Sequence, residues 1–106
     1  MEYKHTPGPW HIGKCHGAVV SETPVTDGLD NDHVEVYGGH LVAESISPKN
    51  RSVIAAAPDL FDALVIAEQA LNKVRVNCRN TPWDETGPAI ITARAAIAKA
   101  LGVDHA

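Results

Sequence analysis

The sequence predicts an α+β fold, in which an N-terminal antiparallel β-sheet built from hairpins packs on two C-terminal α-helices. The composition of the 106-residue chain changes near residue 48, from a Gly-, Pro- and Val-rich half (1–47) to an alanine-rich half (49–102). Strand-like segments followed by helical ones, without alternation, are typical of α+β proteins. A Gly-Gly turn in the first half and a long apolar helical stripe in the second support this division. The length suits one domain, 1–106.

The first half opens on an extended arm, because Pro7 and Pro9 restrict φ and exclude helix. The arm should bring Trp10 to the edge of the core. Short strands are expected at 10–14 and 17–20. A polar loop rich in turn-forming residues should follow over 21–32.

A β-hairpin is the main local prediction in this half. Gly38 and Gly39 separate the apolar segments 33–37 and 40–44. A two-residue Gly-Gly loop suits a type I′ turn, which needs positive φ at both central residues. The register that this turn sets pairs Val36 with Leu41 on one consistently apolar face.

The second half should begin with a short helical turn over 51–56, capped by Asn50. Pro58 fits the first turn of a longer helix that runs to about Val76. Apolar residues spaced by three and four predict the buried face of that helix. They are Leu60, Leu64, Ala67, Leu71 and Val74.

A second strip on the same helix is half apolar and half polar. It is formed by Phe61, Val65, Glu68, Asn72 and Arg75. Such a strip suits an oligomer interface or the wall of a ligand site. The alternative is that its apolar members only widen the core face.

The last helix should follow a loop over 77–86 that contains Trp83, start at Pro88, and stop at Gly102. Arg94 projects close to the buried direction of this helix. An arginine in that position either lies at the edge of the core or faces a pocket or partner. Its guanidinium can grip a phosphate or carboxylate through two hydrogen bonds.

The overall charge excludes one class of partner. A net charge of −4 and a pI near 5.8 argue against duplex DNA, which is bound by a basic surface. No apolar run reaches the roughly 18 residues that cross a membrane, and the N-terminus lacks a signal-peptide pattern. A cytoplasmic protein without a membrane partner is expected, in which Cys15 and Cys78 are reduced thiols.

The motifs of metal sites and enzymes are missing. His11, Cys15 and His16 are close in sequence, but no spacing matches a zinc site. Phosphate-binding glycine loops, nucleophile elbows and metalloprotease motifs are also absent from the sequence. We therefore expect a binding protein with no metal, no cofactor and no catalytic residues.

Three segments resemble a widespread group of small phage and prophage proteins: 5–10 (HTPGPW), 50–64 (NRSVIAAAPDLFDAL) and 93–100 (ARAAIAKA). The layout, a sheet followed by two helices, is similar to the phage sponge that sequesters the cyclic ADP-ribose signal of Thoeris immunity. That similarity implies a homo-oligomer in the host cytoplasm that binds a cyclic nucleotide between subunits. By analogy, Phe61 or Trp83 would stack on the base, Asn72 would form a hydrogen bond, and Arg94 or Arg51 would hold phosphate.

Three functions stay open at this point. The first is the sponge, which binds the signal without cleaving it. The second is an inhibitor that binds a host defence protein, in the manner of an anti-CRISPR, through the loop 27–32 or the strip on the long helix. The third is a phosphodiesterase that degrades the signal.

Overall fold

The structure is a computed structural model that describes residues 5–25, 34–77 and 83–102. The fold is α+β, as predicted. Contacts divide the chain into two compact units, Met1–Asp59 and Leu60–Ala106. The N-terminal unit contains a three-stranded antiparallel sheet and two short helices, and the C-terminal unit contains most of two long helices.

The sheet is formed by β1 (Trp10–Ile12), β2 (Val19–Ser21) and β3 (His40–Ala43), in that order. The first two strands lie within one or two residues of their predicted places. The central strand β2 is buried along its whole length and forms most of the core of the N-terminal unit. Its register sets Trp10 opposite Ser21 on one side and Leu41 opposite Val20 on the other.

Buried Ser21 joins the extended arm to the sheet. Its hydroxyl donates a hydrogen bond to the carbonyl of Pro7 at 3.0 Å and accepts one from the backbone N–H of Thr23 at 3.0 Å. The indole N–H of Trp10 donates to the carbonyl of Thr6 at 3.1 Å. These hydrogen bonds fix the arm against the sheet. They also give the Ser21 hydroxyl the partners without which its burial would be costly.

The predicted hairpin is wrong. The segment Val34–Tyr37 forms a short helix, α1, and the backbone N–H groups of Gly38 and Gly39 both donate to the carbonyl of Val34. Of the two glycines, Gly38 alone has a positive φ, +85°, because it ends the helical turn. His33 and the rest of the segment 26–33 lie outside the described residues.

Gly39 lies just before β3, where the chain passes close to the central strand β2. A Cβ at Gly39 would lie 2.8 Å from Cγ2 of Val20, so glycine permits a close approach to the central strand. The chain can then leave α1 and enter the sheet directly. Leu41 consequently lies opposite Val20, and the predicted partner Val36 is half exposed on α1.

The helical half contains the predicted number of helices in the predicted order, but each helix begins at a different residue from the predicted one. Helix α2 (Pro48–Ala55) has Ser47 at its N-cap, so the predicted capping by Asn50 is wrong. Proline suits the first helical position because the N–H that it lacks would have no partner there. Helix α3 (Ala57–Asn77) includes Pro58 in its first turn and ends one residue after the predicted Val76.

The last helix, α4 (Trp83–Ala100), begins five residues before the predicted start. Pro88 lies inside it, where it removes one backbone hydrogen bond without ending the helix. The predicted stop is confirmed, since Gly102 has a φ of +74° and its N–H donates to the carbonyl of Lys99. Among the described residues, no helix is both long and apolar enough to cross a membrane.

The predicted buried stripe of α3 is wrong at three of its five positions, since Leu64 and Leu71 are half-buried but the other three are exposed. Leu60 and Val74 are 55% and 48% exposed, and Ala67 is exposed as well. Instead, Phe61 and Val65 are buried and form a core cluster with Ile97 of α4. Two apolar strips run along this helix, and periodicity alone cannot tell which of them packs within the chain.

A pair of valine truncations tests the corrected strand pairing. Val19 in β2 is 0% exposed, whereas Val36 in α1 is 50% exposed. We expect Val19→Ala to lower the free energy of unfolding by about 2 kcal/mol, from lost burial and a cavity. Val36→Ala should change it by less than about 0.5 kcal/mol. Urea denaturation followed by circular dichroism measures both changes. Equal losses of unfolding free energy would contradict the observed strand pairing and favour the predicted hairpin, in which Val36 is buried.

Candidate functional site

The antiparallel pair of α3 and α4 carries the candidate site. Phe61 and Val65 pack against Ile97, with Leu64 and Leu101 half-buried against the same cluster. Further along α3 and nearer the start of α4, Glu68 contacts Arg94. The contacts therefore change along the pair from apolar to polar.

The ion pair between Arg94 and Glu68 is the main polar contact described between these helices. Arg94 Nε donates to Glu68 Oε1 at 2.7 Å. The Glu68 side chain is 14% exposed, whereas that of Arg94 is 57% exposed. The Glu68 carboxylate thus contacts Nε of the guanidinium, and more than half of the Arg94 side chain stays exposed. A surface ion pair adds at most about 1 kcal/mol to the stability of a fold. The main effect of this contact is therefore to orient the guanidinium.

Asn72 lies on α3 one turn after Glu68, and its side chain is half-buried. Residues four apart on a helix are neighbours on its surface. An amide that can donate and accept hydrogen bonds therefore lies beside the carboxylate that holds Arg94. Glu68 and Asn72 share one strip in the sequence, but Glu68 is not among the site residues that the sequence predicts. The four-residue spacing between Glu68 and Asn72 is the sequence signal that could have placed Glu68 in the site.

The other residues predicted for the site are Phe61, Trp83 and Arg51. The ring of Phe61 is buried in the core cluster. Trp83 is the first residue of α4, about three turns before Arg94, and its side chain lies outside the described part of the structure. Arg51 belongs to the N-terminal unit, where its Nε donates to the carbonyl of Ile46 at 3.0 Å.

A second group of polar side chains lies in the N-terminal unit. Cys15 and His16 occupy a turn after β1, between the two predicted strands 10–14 and 17–20. The Nδ1 atom of His16 lies 2.8 Å from the Cys15 sulfur, and the thiol also donates to the carbonyl of Val36. The ring of His16 contacts the edge of the Tyr37 ring.

Among the described residues, this group is not part of a cluster that could hold a metal ion. Across residues 5–25, 34–77 and 83–102, no cluster of three or more His, Cys, Asp or Glu could hold a metal ion. His11 faces Glu22 instead, at 3.4 Å. An imidazole beside a thiol can activate a nucleophile, but a catalytic arrangement also needs a group that orients the imidazole. Tyr37 donates its hydroxyl to Glu44 and not to His16.

Comparison with known proteins identifies one relationship. The sequence model of a family described as Salmonella phage P22 protein Y8K6 matches residues 1–104. This match spans nearly the whole chain and confirms the resemblance to small phage proteins. No curated protein and no solved structure matches the chain.

The hydroxyl of Tyr37 provides a test of the N-terminal geometry. It donates to Glu44 Oε2 at 2.9 Å, and this bond, with burial and the charges of Glu44 and Cys15, raises the pKa of Tyr37 above 10.0. A raised pKa in the folded state stabilises the fold below about pH 10, and this contribution is lost as the pH rises through the folded-state value.

We expect Glu44→Gln to return the pKa of Tyr37 towards 10, because the substitution removes the charge that opposes the phenolate. Absorbance of the tyrosinate band against pH measures it. Glu22→Gln removes an equivalent charge that the structure places beside His11, and serves as the control. Identical titrations for Glu44→Gln and Glu22→Gln would contradict the contact.

Proposed function

Because the chain belongs to the family of Salmonella phage P22 protein Y8K6, we propose that it is a phage accessory protein that antagonises bacterial defence. In this proposal it binds a cyclic nucleotide immune signal, of the cyclic ADP-ribose type, and withholds it without cleaving it. It acts in the cytoplasm of the infected host, through binding and not catalysis, and without a cofactor.

The oriented guanidinium of Arg94 is the observation that carries the proposal. Glu68 contacts Nε, and the Arg94 side chain is mostly exposed. The two terminal nitrogens of a guanidinium form a planar pair of donors. Such a pair matches two oxygens of a phosphate group. Because the arginine is already held, binding loses less side-chain entropy than it would with a free arginine.

The carboxylate of Glu68 narrows the class of ligand. Its negative charge weakens the attraction of Arg94 for a simple anion, so free phosphate should bind poorly. A nucleotide also presents ribose hydroxyls, which can donate to a carboxylate oxygen. The juxtaposition of Glu68 and Arg94 therefore favours a ligand with a phosphate acceptor and a hydroxyl donor close together.

The remaining contacts follow from the neighbours of this pair. Asn72, beside Glu68, can donate to and accept from the edge of a base. Phe61 is committed to the core, which leaves Trp83 as the proposed ring for base stacking. Trp83 lies eleven residues from Arg94 along α4, about 16 Å. A compact ligand would then contact Arg94 of one protomer and Trp83 of another, in keeping with a homo-oligomer.

An inhibitor that binds a host protein is the second candidate. It is favoured by large apolar side chains exposed on both long helices: Ile66, Val76 and Ile91. Exposed apolar surface of this kind often marks protein-binding sites. This inhibitor would form a complex with a host defence protein and bind no nucleotide.

A thermal-shift screen with cyclic ADP-ribose isomers and cyclic di- and trinucleotides tests the proposal. A ligand at a hundred times its Kd should add about 2.7 kcal/mol to the free energy of unfolding. We expect Arg94→Gln to abolish the shift, because it removes the donor pair. Lys99→Gln removes the same charge from an exposed position of the same helix and should leave the shift unchanged.

The outcomes separate the three functions. A shift that Arg94→Gln removes, with the nucleotide recovered intact after heating, supports the sponge. Loss of the nucleotide with time identifies a phosphodiesterase instead. No shift with any nucleotide contradicts both and favours the protein-binding inhibitor.

A further inference from the structure

Helix α3 carries an exposed apolar face in addition to the face that packs on α4. Its members recur at spacings of three and four, and all are exposed: Leu60, Ala63, Ala67, Ala70 and Val74. At 100° per residue this face points about 160° away from the direction of Phe61 and Val65. A helix with apolar residues on two nearly opposite faces is normally covered on both.

The sizes along this exposed face are symmetrical. The large residues Leu60 and Val74 lie seven positions before and after Ala67, and smaller alanines lie between them. Small residues at the centre allow two helices to approach to about 8 Å. In a two-fold antiparallel pair centred on Ala67, Leu60 of one helix would lie opposite Val74 of the other.

The charges beside the face are complementary about the same centre. Asp59 and Asp62 lie before Ala67, and Lys73 lies after it; all three are exposed on the same side of the apolar face. In an antiparallel pair related by a two-fold axis, each side of one helix meets the same side of the other. The two aspartates would then meet the partner's lysine at both ends of the pair.

A parallel pair does not offer this match. In that arrangement, opposite sides of the two helices meet at the same level. Lys73 would then face the side that carries Leu71 and Arg75, and among the residues of α3 no carboxylate lies on that side at its level. The charges therefore select the antiparallel orientation, and the side-chain sizes are compatible with it.

We propose that a second copy of this chain covers this face, through antiparallel pairing of α3 with α3 about Ala67. The inference does not rest on the ligand proposed above. It also assigns the oligomer interface to a different face of α3 from the one that the sequence predicts. The strip of Phe61 and Val65, which the sequence suggested for that role, packs within the chain, and the opposite face is left for the partner.

Sedimentation equilibrium of the full chain, from micromolar to millimolar concentration, tests the pairing. The wild type should be a dimer that dissociates on dilution. Ala67→Glu places two carboxylates against each other at the two-fold axis, so the dimer Kd should rise at least about a hundredfold. Gln69→Glu adds the same charge to an exposed position away from the face and should leave the Kd within about threefold.

Charge reversal tests the orientation separately. Lys73→Glu sets acid against acid, and the double variant Asp59→Lys with Asp62→Lys sets base against base, so each alone should weaken the dimer. A mixture of the two variants restores opposite charges and should form a heterodimer. Circular dichroism confirms that each variant is folded.

A monomeric wild type at all concentrations would overturn the proposal. So would equal effects of Ala67→Glu and Gln69→Glu, because the dimer would then use another surface. Failure of the two charge variants to associate when mixed would overturn the antiparallel orientation. None of these results depends on nucleotide binding, so they are distinguishable from failure of the proposed function.

Discussion

The packing of Phe61 and Val65 on Ile97 is the constraint on which the C-terminal unit depends. Once these residues are buried, the rotation of α3 about its own axis is fixed. Glu68, which follows along the same strip, then faces α4 and reaches Arg94. The same rotation leaves the strip of Leu60 and Val74 exposed. One apolar contact thus determines the place of the polar site and the face that is free for a partner.

The sequence predicted most of the helices because their signals are local. Pro58 marked the start of α3, and Gly102 marked the end of α4. The error at residues 33–44 has a non-local cause. Whether Gly38 ends a helical turn or forms a hairpin depends on the partner of β3, and that partner, β2, lies about twenty residues earlier. The two apolar strips of α3 posed the same problem, since a partner helix decides which is buried.

The candidate site was predictable in part. Arg94 was identified from its angle to the buried residues of α4, which depends on helix geometry alone. Its contact with Glu68 joins two helices and could not be derived from either one. Phe61 is a base-stacking candidate in the sequence, yet the packing of α3 places it in the core. Helical periodicity therefore located the polar positions better than it assigned roles to the apolar ones.

Hydrogen exchange, measured with and without the nucleotide that the screen selects, tests most directly that ligand binding centres on the Glu68–Arg94 pair. The account predicts slower exchange around Glu68 to Asn72 in α3 and around Arg94 in α4, with the N-terminal sheet unchanged. Slower exchange confined to the turn that contains Cys15 and His16 would contradict it, and would place the site in the N-terminal unit.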